Sequence, residues 1–512
     1  MTEHSLTYGS EPGEVLARLR DLREFDAPTH GGRVLAYVYD SGMSELDHLA
    51  SEAAEAARSL NGLDPTTFPS IAAMEQDLVS FVRRALGGDD RRVGGRVVGS
   101  VTSGGTESCL LAVKTARDLW RDANPELRVA LARESRMPRL VVTSTTHAAF
   151  HKAAQLFDLE IDVVPCELDG SVRASSIISR LGDDVALVVV SAPAYPSGAI
   201  DPVSEVSKAA LALGISCHVD ACFGGLALPW WPDTQTWDLR NPGVTSISAD
   251  LHKFGYAPKG SSVLLHRGRT RHRKQFFATT EWAGYPIVNP TLLGSRSVSP
   301  TAAAWAIVHR LGAAGYRRLT ASCARSAHAI EQAVREIPGL AVWGSPTGPA
   351  MALIADESVP ESERVDPHHL ADEIAQRGFQ IQHQPGLTQS NGVRLPHSAH
   401  LTITPVTERL LPEFIAALRD SAAVVRGTPQ ASASVALAAM RALGYSEERA
   451  PSPAAAWRIL RLVGAAPKLP KHPGEGGALP QKMAPLMALA EQLPAPVAQA
   501  LLTELLARVS EP

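Results

Sequence analysis

The stretch SISADLHKFGYAPKGSS, Ser246 to Ser262, sets Lys253 and Lys259 six residues apart, with His252 directly before the first. The whole chain holds nine lysines against forty arginines, so two lysines in one short loop stand out. A guanidinium stays protonated and cannot form an imine under physiological conditions; an amine can. Lys253 follows an apolar, strand-like run, with Asp250 two residues before His252. A solvated surface lysine is the plain alternative for either one.

Three more motifs fall at the ends of predicted strands, where open α/β sheets place their ligands. In HVDACFGG, 218–225, Asp220 closes an apolar run and needs a positive partner, because an unpaired buried carboxylate is costly. A structural ion pair or a cationic ring nitrogen would serve equally; Cys222 reads as a small core residue rather than a nucleophile. In TTHAAFHKAA, His147 stands at a strand-to-helix junction, as a cap, a hydrogen-bonded core group or an imidazole stacked on a planar cofactor. VTSGGTES, 101–108, is an ordinary turn or a phosphate cradle of free N–H groups leading into a helix. It is neither a GxGxxG fingerprint nor a P-loop. Together the four supply what pyridoxal phosphate needs: a phosphate turn, a stacking ring, a carboxylate for the pyridine nitrogen and an imine-forming lysine.

The elements that must position these residues follow from periodicity. Residues 1–30 read as a loosely ordered arm, with helices from Ser44 and from Ser70 to the glycine pair at 87–88. From Val98 to Arg267 the runs RLVVTS, EIDVVP, VALVVVS, ISCHVD, VTSIS and SSVLLH alternate with helical patterns such as TESCLLAVKTARDLW and EVSKAALALG. Doubly buried strands alternating with helices predict a mainly parallel α/β sheet. Two longer helical patterns follow Pro300, and LAVWGS, AMALIAD, FQIQHQ and AHLTIT then predict a smaller α+β domain. The Pro/Gly-rich stretch 466–482 reads as a linker, and beyond it Val497, Leu501 and Leu505 share a helical face. That face packs back on the body or a second subunit, or docks another protein. The domains expected are an arm with helices at 1–97, a large cofactor domain at 98–299, a small domain at 300–427 and a helical tail at 428–512.

Composition narrows the classes. A net charge of −4 over 512 residues gives no reason to expect nucleic acid as a partner. Five cysteines without a CxxC pair fit a reducing compartment, and VALVVV is too short to cross a bilayer. The N-terminal residues do not read as a signal peptide, so a cytoplasmic protein is expected.

In these motifs the chain resembles the sphingosine-1-phosphate lyases, within the fold-type I pyridoxal phosphate enzymes and the group II decarboxylase superfamily. TSGGTES, HAAFHKAA, HVDAC-GG, GVTSISAD-HK-GYAPKGSS and GSR at 294–296 occur in that family's order, over residues 31–426. The resemblance implies a fold-type I architecture, pyridoxal 5'-phosphate, and a homodimer with shared active sites. It makes Lys253 the Schiff-base lysine, Asp220 the pyridine-nitrogen partner and His147 the stacking ring. Gly105, Thr106, Ser248 and His252 would hold the cofactor phosphate, joined by Ser295 from the neighbouring subunit. Lys259 would lie near the substrate and its leaving group. GGRVLAYVY and NGLDPTTFP resemble the family's substrate segments, adding Tyr39, Asn61 and, at a position where the family carries histidine, Asp64.

That aspartate would repel a substrate phosphate by on the order of 1–4 kcal/mol at ~4 Å, and so predicts a shift away from phosphorylated substrates. The family's Pro-Gly-Gly after GSR is replaced by SVS at 297–299. The expected activity is retro-aldol cleavage of a 2-amino-3-hydroxy compound, phosphorylated or not, such as a sphingoid base phosphate, to an aldehyde and an amine, with Lys259 or Tyr39 as base if its surroundings lower its pKa. An amino-acid α-decarboxylase is the alternative, and a non-catalytic binding protein of this fold is the third.

Overall fold

The computed structural model describes residues 9–24, 26–90, 94–442, 445–446, 449–466, 480 and 482–511. Three helices come first: α1, Pro12–Leu22; α2, Ser44–Ala56; and α3, Pro69–Ala85. Helix α1 buries none of its residues, and Val15, Leu16, Leu19 and Leu22 form an exposed apolar stripe along it. Ser44 is the first helical residue of α2 rather than its cap; the chain turns in through Ser41, whose hydroxyl accepts the Met43 N–H. Gly87, at φ +70°, takes the chain out of α3 in a conformation a side chain would resist.

The alternating region then runs β1, Val97–Thr102; α4, Gly105–Ala123; α5, Pro125–Arg133; β2, Arg139–Thr143; α6, Ala149–Phe157; β3, Glu160–Val164. It continues α7, Ala174–Ile178; β4, Val185–Ser191; α8, Val203–Ala212; β5, Ser216–Asp220; β6, Ser246–Ala249; β7, Ser262–Arg267. The strands form one sheet in the order β1-β7-β6-β5-β4-β2-β3. Every neighbouring pair is parallel except those of β7, which runs antiparallel to β6 and β1. β4 and β5 are buried at every position, which is why they read as continuous apolar runs rather than alternating ones. With all-parallel strands β2, β4, β5 and β6 side by side, their C-terminal ends open on one edge.

A short helix α9, Arg269–Arg273, and an exposed hairpin, β8 Phe277–Thr279 and β9 Ile287–Asn289, lead to α10, Ser299–Arg335. The two helical patterns expected after Pro300 are this one 37-residue helix, broken at Gly312, whose φ is +53°. Ile307, Tyr316 and Cys323 of α10 join the core of the large sheet, while Ile330 and Val334 join that of the next unit. That unit holds β10, Leu340–Val342; β11, Ala350–Ala355; α11, Pro367–Gln376; β12, Gln382–Gln384; β13, Leu387–Thr388; β14, Arg394–Leu395; β15, Ser398–Thr402; and α12, Thr407–Val425. Its antiparallel sheet has the order β10-β11-β15-β12, leaving β12 at an edge.

Four further helices close the chain: α13, Ser434–Ala442; α14, Pro453–Leu462; α15, Ala484–Gln492; and α16, Ala495–Ser510. Val497, Leu501 and Leu505 are buried here against Ile459, Leu460 and Leu489, in a core of their own. The linker read at 466–482 lies almost wholly outside the described residues.

Gly243 lies in the turn that feeds β6, so close to α8 that a Cβ there would sit 1.8 Å from the Ser207 carbonyl oxygen. Gly243→Ala is expected to cost about 1–3 kcal/mol or more by overpacking, read as a lowered melting temperature by circular dichroism.

Candidate active site

The C-terminal ends of β1, β2, β4, β5 and β6 open into a cavity of about 500 Å3. Its lining includes Tyr39, Gly105, Thr106, His147, Asp220, His252 and Lys253, so seven of the residues singled out from sequence meet there. It also includes Tyr37, Glu107, Cys109, Tyr195, Cys222, Phe223, Asp250 and Gln382, none of which the sequence reading assigned to cofactor or substrate.

Asp250 is the most consequential of these. It follows β6 directly, its side chain is 1% exposed, and Lys253 Nζ lies 3.1 Å from its Oδ2. His252 Nε2 lies 3.4 Å from the same oxygen. The other ring nitrogen of His252 accepts the N–H groups of Gly260 and Ser261 at 3.3 Å each, so Nε2 carries the proton toward Asp250. Burial alone would push Asp250 up and Lys253 down. Their mutual attraction outweighs this, holding Asp250 far below the usual carboxylate range and Lys253 well above the usual amine range. The spacing Asp250–Lys253, one tight turn, was the available signal.

The glycine-rich turn runs under this pair. A Cβ on Gly105 would lie 2.6 Å from Asp250 Oδ2 and 2.9 Å from Cys222 Sγ, and one on Gly104 would lie 3.1 Å from His252 Cε1. The first intrahelical bond of α4 is Ser108 N–H to the Gly104 carbonyl, so the N–H groups before it are free for an anion. Glu107 reaches back to accept the Ser103 N–H at 2.6 Å and also takes the Leu292 N–H at 2.6 Å, locking the turn to the segment that leads to Ser295.

Asp220 reaches the cavity from the end of β5 and accepts the Cys222 N–H at 3.1 Å. His147 Nδ1 accepts the Ala149 N–H at 3.1 Å, which fixes its ring at the start of α6. Ser248 departs from expectation. Its hydroxyl is fully buried, meets His218 Nε2 at 3.2 Å and accepts from Cys222 Sγ at 3.1 Å, and does not line the cavity.

On the other side of the cavity are aromatic rings. Tyr39 packs edge-on to Phe254 and Phe223 at 5.4 and 6.1 Å, and Tyr195 stacks on His400 at 4.1 Å. Burial raises the Tyr39 phenol well above its ordinary range, the opposite of the lowering that a base role would need. Lys259 lies behind Tyr39, its Nζ 4.4 Å from the ring centroid and 3.0 Å from the His252 carbonyl. Burial, reinforced by the charge on Lys253, lowers its pKa to about 8.

Lys259, Asn61, Asp64 and Ser295 do not line this cavity, Lys259 standing behind the lining Tyr39 ring. Asn61 Nδ2 donates to Ser295 Oγ at 3.1 Å, and Asn61 bridges Ser297 in antiparallel fashion, so the two segments are joined to each other instead. Asp64 is spent on its own turn: its oxygens accept the N–H and hydroxyl groups of Thr66 and Thr67, which lower its pKa to about 2.

Comparison with known proteins follows the same lines. The profile of the pyridoxal-dependent decarboxylase conserved domain matches residues 32–346, and one for a C-terminal helix-turn-helix domain of pyridoxal-dependent enzymes matches 432–508. The sphingosine-1-phosphate lyase of Arabidopsis thaliana is 32% identical over 422 residues, covering 81% of this chain and 73% of that protein. The structure of the Burkholderia pseudomallei sphingosine-1-phosphate lyase superposes with a TM-score of 0.71 at 30% identity, over 87% of this chain and 99% of that one. The glutamate decarboxylase of Lactobacillus brevis shares the fold, with a TM-score of 0.71 at 19% identity over 82% and 94% of the two chains.

The residues present fit pyridoxal phosphate: free N–H groups at Gly105 and Thr106, an acid at Asp220, and an amine at Lys253 converge on one cavity of suitable size. Because the turn has no room for a side chain, Gly105→Ala is expected to weaken cofactor binding at least about tenfold, or ~1.4 kcal/mol, in an absorbance titration, with helix content unchanged.

Proposed function

The chain belongs to the pyridoxal-dependent decarboxylase family, in its sphingosine-1-phosphate lyase branch, and we propose that it cleaves the Cα–Cβ bond of a phosphorylated sphingoid base. It is a pyridoxal phosphate-dependent lyase. The products are an aldehyde and an amine: the hydroxyl proton leaves, the carbon–carbon bond breaks, and the amine-bearing carbon takes up a proton.

Pyridoxal phosphate, when bound, supplies the electron sink for the bond that breaks. Lys253 would carry it, Asp220 would face its ring nitrogen, His147 its ring, and Gly105, Thr106 and His252 its phosphate. Asp250 holds Lys253 in the cavity as an ammonium, so the lysine must give up a proton before its nitrogen can bond carbon.

The observation that carries the aldol reading is Lys259. Aldol cleavage needs a base for the substrate hydroxyl and decarboxylation does not; an amine with its pKa lowered to about 8, 4.4 Å from the ring centroid of the cavity-lining Tyr39, meets that need. Tyr39, protonated and beside it, serves as a donor.

A homodimer with shared sites is part of the proposal. Asn61 and Ser295 are held together away from their own chain's cavity, which supports their acting in a neighbour's. Phe277, Trp282, Tyr285, Val288, Leu292 and Leu293, directly before Ser295, are all exposed, and with the bare stripe of α1 they suit a second copy. Asp64 stays ionised on its own turn and does not line its own chain's cavity, so the preference for a phosphorylated substrate rests on the relatives rather than on this residue. A cytoplasmic location is also proposed, supported by five buried, unpaired cysteines. Among the described residues no helix is long and apolar enough to cross a membrane.

Purified enzyme is expected to release aldehyde from a phosphorylated long-chain base, and little from its unphosphorylated form; carbon dioxide from amino acids instead would overturn the reading. Its kcat/KM should rise with pH through an inflection near 8, set by Lys259. Lys259→Arg, which keeps the charge but not the releasable proton, should lose about 10²–10⁴-fold and flatten that limb. Mixing inactive Lys253→Ala and Ser295→Asp proteins should restore part of the activity through hybrid dimers; no recovery after subunit exchange argues against shared sites.

A further inference from the structure

Strand β12 is only three residues long, yet it touches two separate parts of the molecule. Gln382 lines the cavity, and the Tyr195 hydroxyl donates to its Oε1 at 2.6 Å, leaving Nε2 without a partner among the described residues. Across the ladder Gln382 is paired with His400, the ring on which Tyr195 stacks. Its neighbour His383 points to the opposite face, as strand geometry requires. There His383 Nε2 meets Asp372 Oδ1 at 3.0 Å.

Asp372, on α11, is a junction. Besides His383, its oxygens accept the N–H of Met483 at 2.8 Å and of Ala484 at 3.1 Å, at the start of α15. The C-terminal helices are thus fastened to the edge strand that presents Gln382. A second clamp keeps them there: Glu491 of α15, its side chain fully enclosed, accepts from Arg394 Nη2 at 2.7 Å and Gln430 Nε2 at 3.0 Å. His368 Nε2 also meets the Gln384 carbonyl at 2.9 Å, holding the strand's far end. An edge strand this short has few ladder bonds to resist slipping, and a slip of one residue would turn Gln382 out of the cavity.

We infer that Gln382 contacts the substrate, donating its amide to an oxygen away from the bond that breaks, and that Asp372 is a positioning residue by which the C-terminal helices hold β12 in register. This rests on the cavity being the cofactor and substrate site, not on the choice of reaction. An amide that binds ground state and transition state alike changes KM rather than kcat.

The test uses the full-length holoenzyme and follows whichever product the wild type releases, aldehyde or carbon dioxide, so a failed aldol reading leaves it intact. Gln382→Ala and Asp372→Ala should each raise KM by about 3- to 30-fold, the loss of one hydrogen bond to a polar or charged group. In both, kcat and cofactor titration should stay within about threefold of wild type, and the double variant should match Gln382→Ala alone. Asp372→Asn, which keeps the shape and one acceptor, should give an intermediate KM and carries the test if the alanine variant does not fold. Multiplying effects in the double variant, or losses confined to kcat or cofactor affinity, would overturn the inference.

Discussion

One carboxylate, Asp250, carries a charge in a place where charges are expensive. Removing a carboxylate from water costs several kcal/mol unless a partner repays it, and the side chain is 1% exposed. The partners are Lys253 and the Nε2–H of His252, both within one turn of chain. This local pairing sets the position and protonation of the lysine. It also dictates that the turn entering α4 be glycine, because the chain passes within contact distance of the Asp250 oxygens.

A second constraint is the packing of Lys259 against Tyr39. The phenol lines the cavity with the amine behind it, and burial acts on each, but with opposite consequence. It disfavours the charged form, so the phenol holds its proton more tightly while the ammonium releases its own more easily. The amine lies 4.4 Å from the centroid of the phenol ring, so burial tunes two adjacent groups in opposite senses, which neither residue type determines alone.

The molecule also separates what it keeps for its own cavity from what it presents outward. Residues at the ends of β1, β2, β5 and β6 turn inward, while the Asn61 and Ser295 segments are tied to each other beside an exposed apolar hairpin. Several separate cores share the burden of stability. The large sheet and the smaller sheet are bridged by α10, and the last four helices close on a core of their own against the edge of β12.

The fold class, the strand order of motifs and the inward residues Lys253, Asp220, His147, Gly105 and Thr106 were legible because parallel sheets advertise themselves. Doubly buried strands are continuous apolar runs, and whatever polar residue follows such a run lies at the sheet's open edge. Ser248 also sits at a strand end, but its hydroxyl pairs with Cys222 and His218 and does not line the cavity, a partnership that no periodicity reveals. Gln382 and Tyr195 were invisible because they meet only when the smaller sheet folds against the larger, across 187 residues of sequence. The sequence by itself determined the elements, the cofactor class and which lysine enters the cavity beside Asp250, since these depend on residue type and local spacing. Tertiary structure alone decided which way burial moves each pKa and which distant side chains line the cavity, since burial and long-range contact are properties of the packed chain.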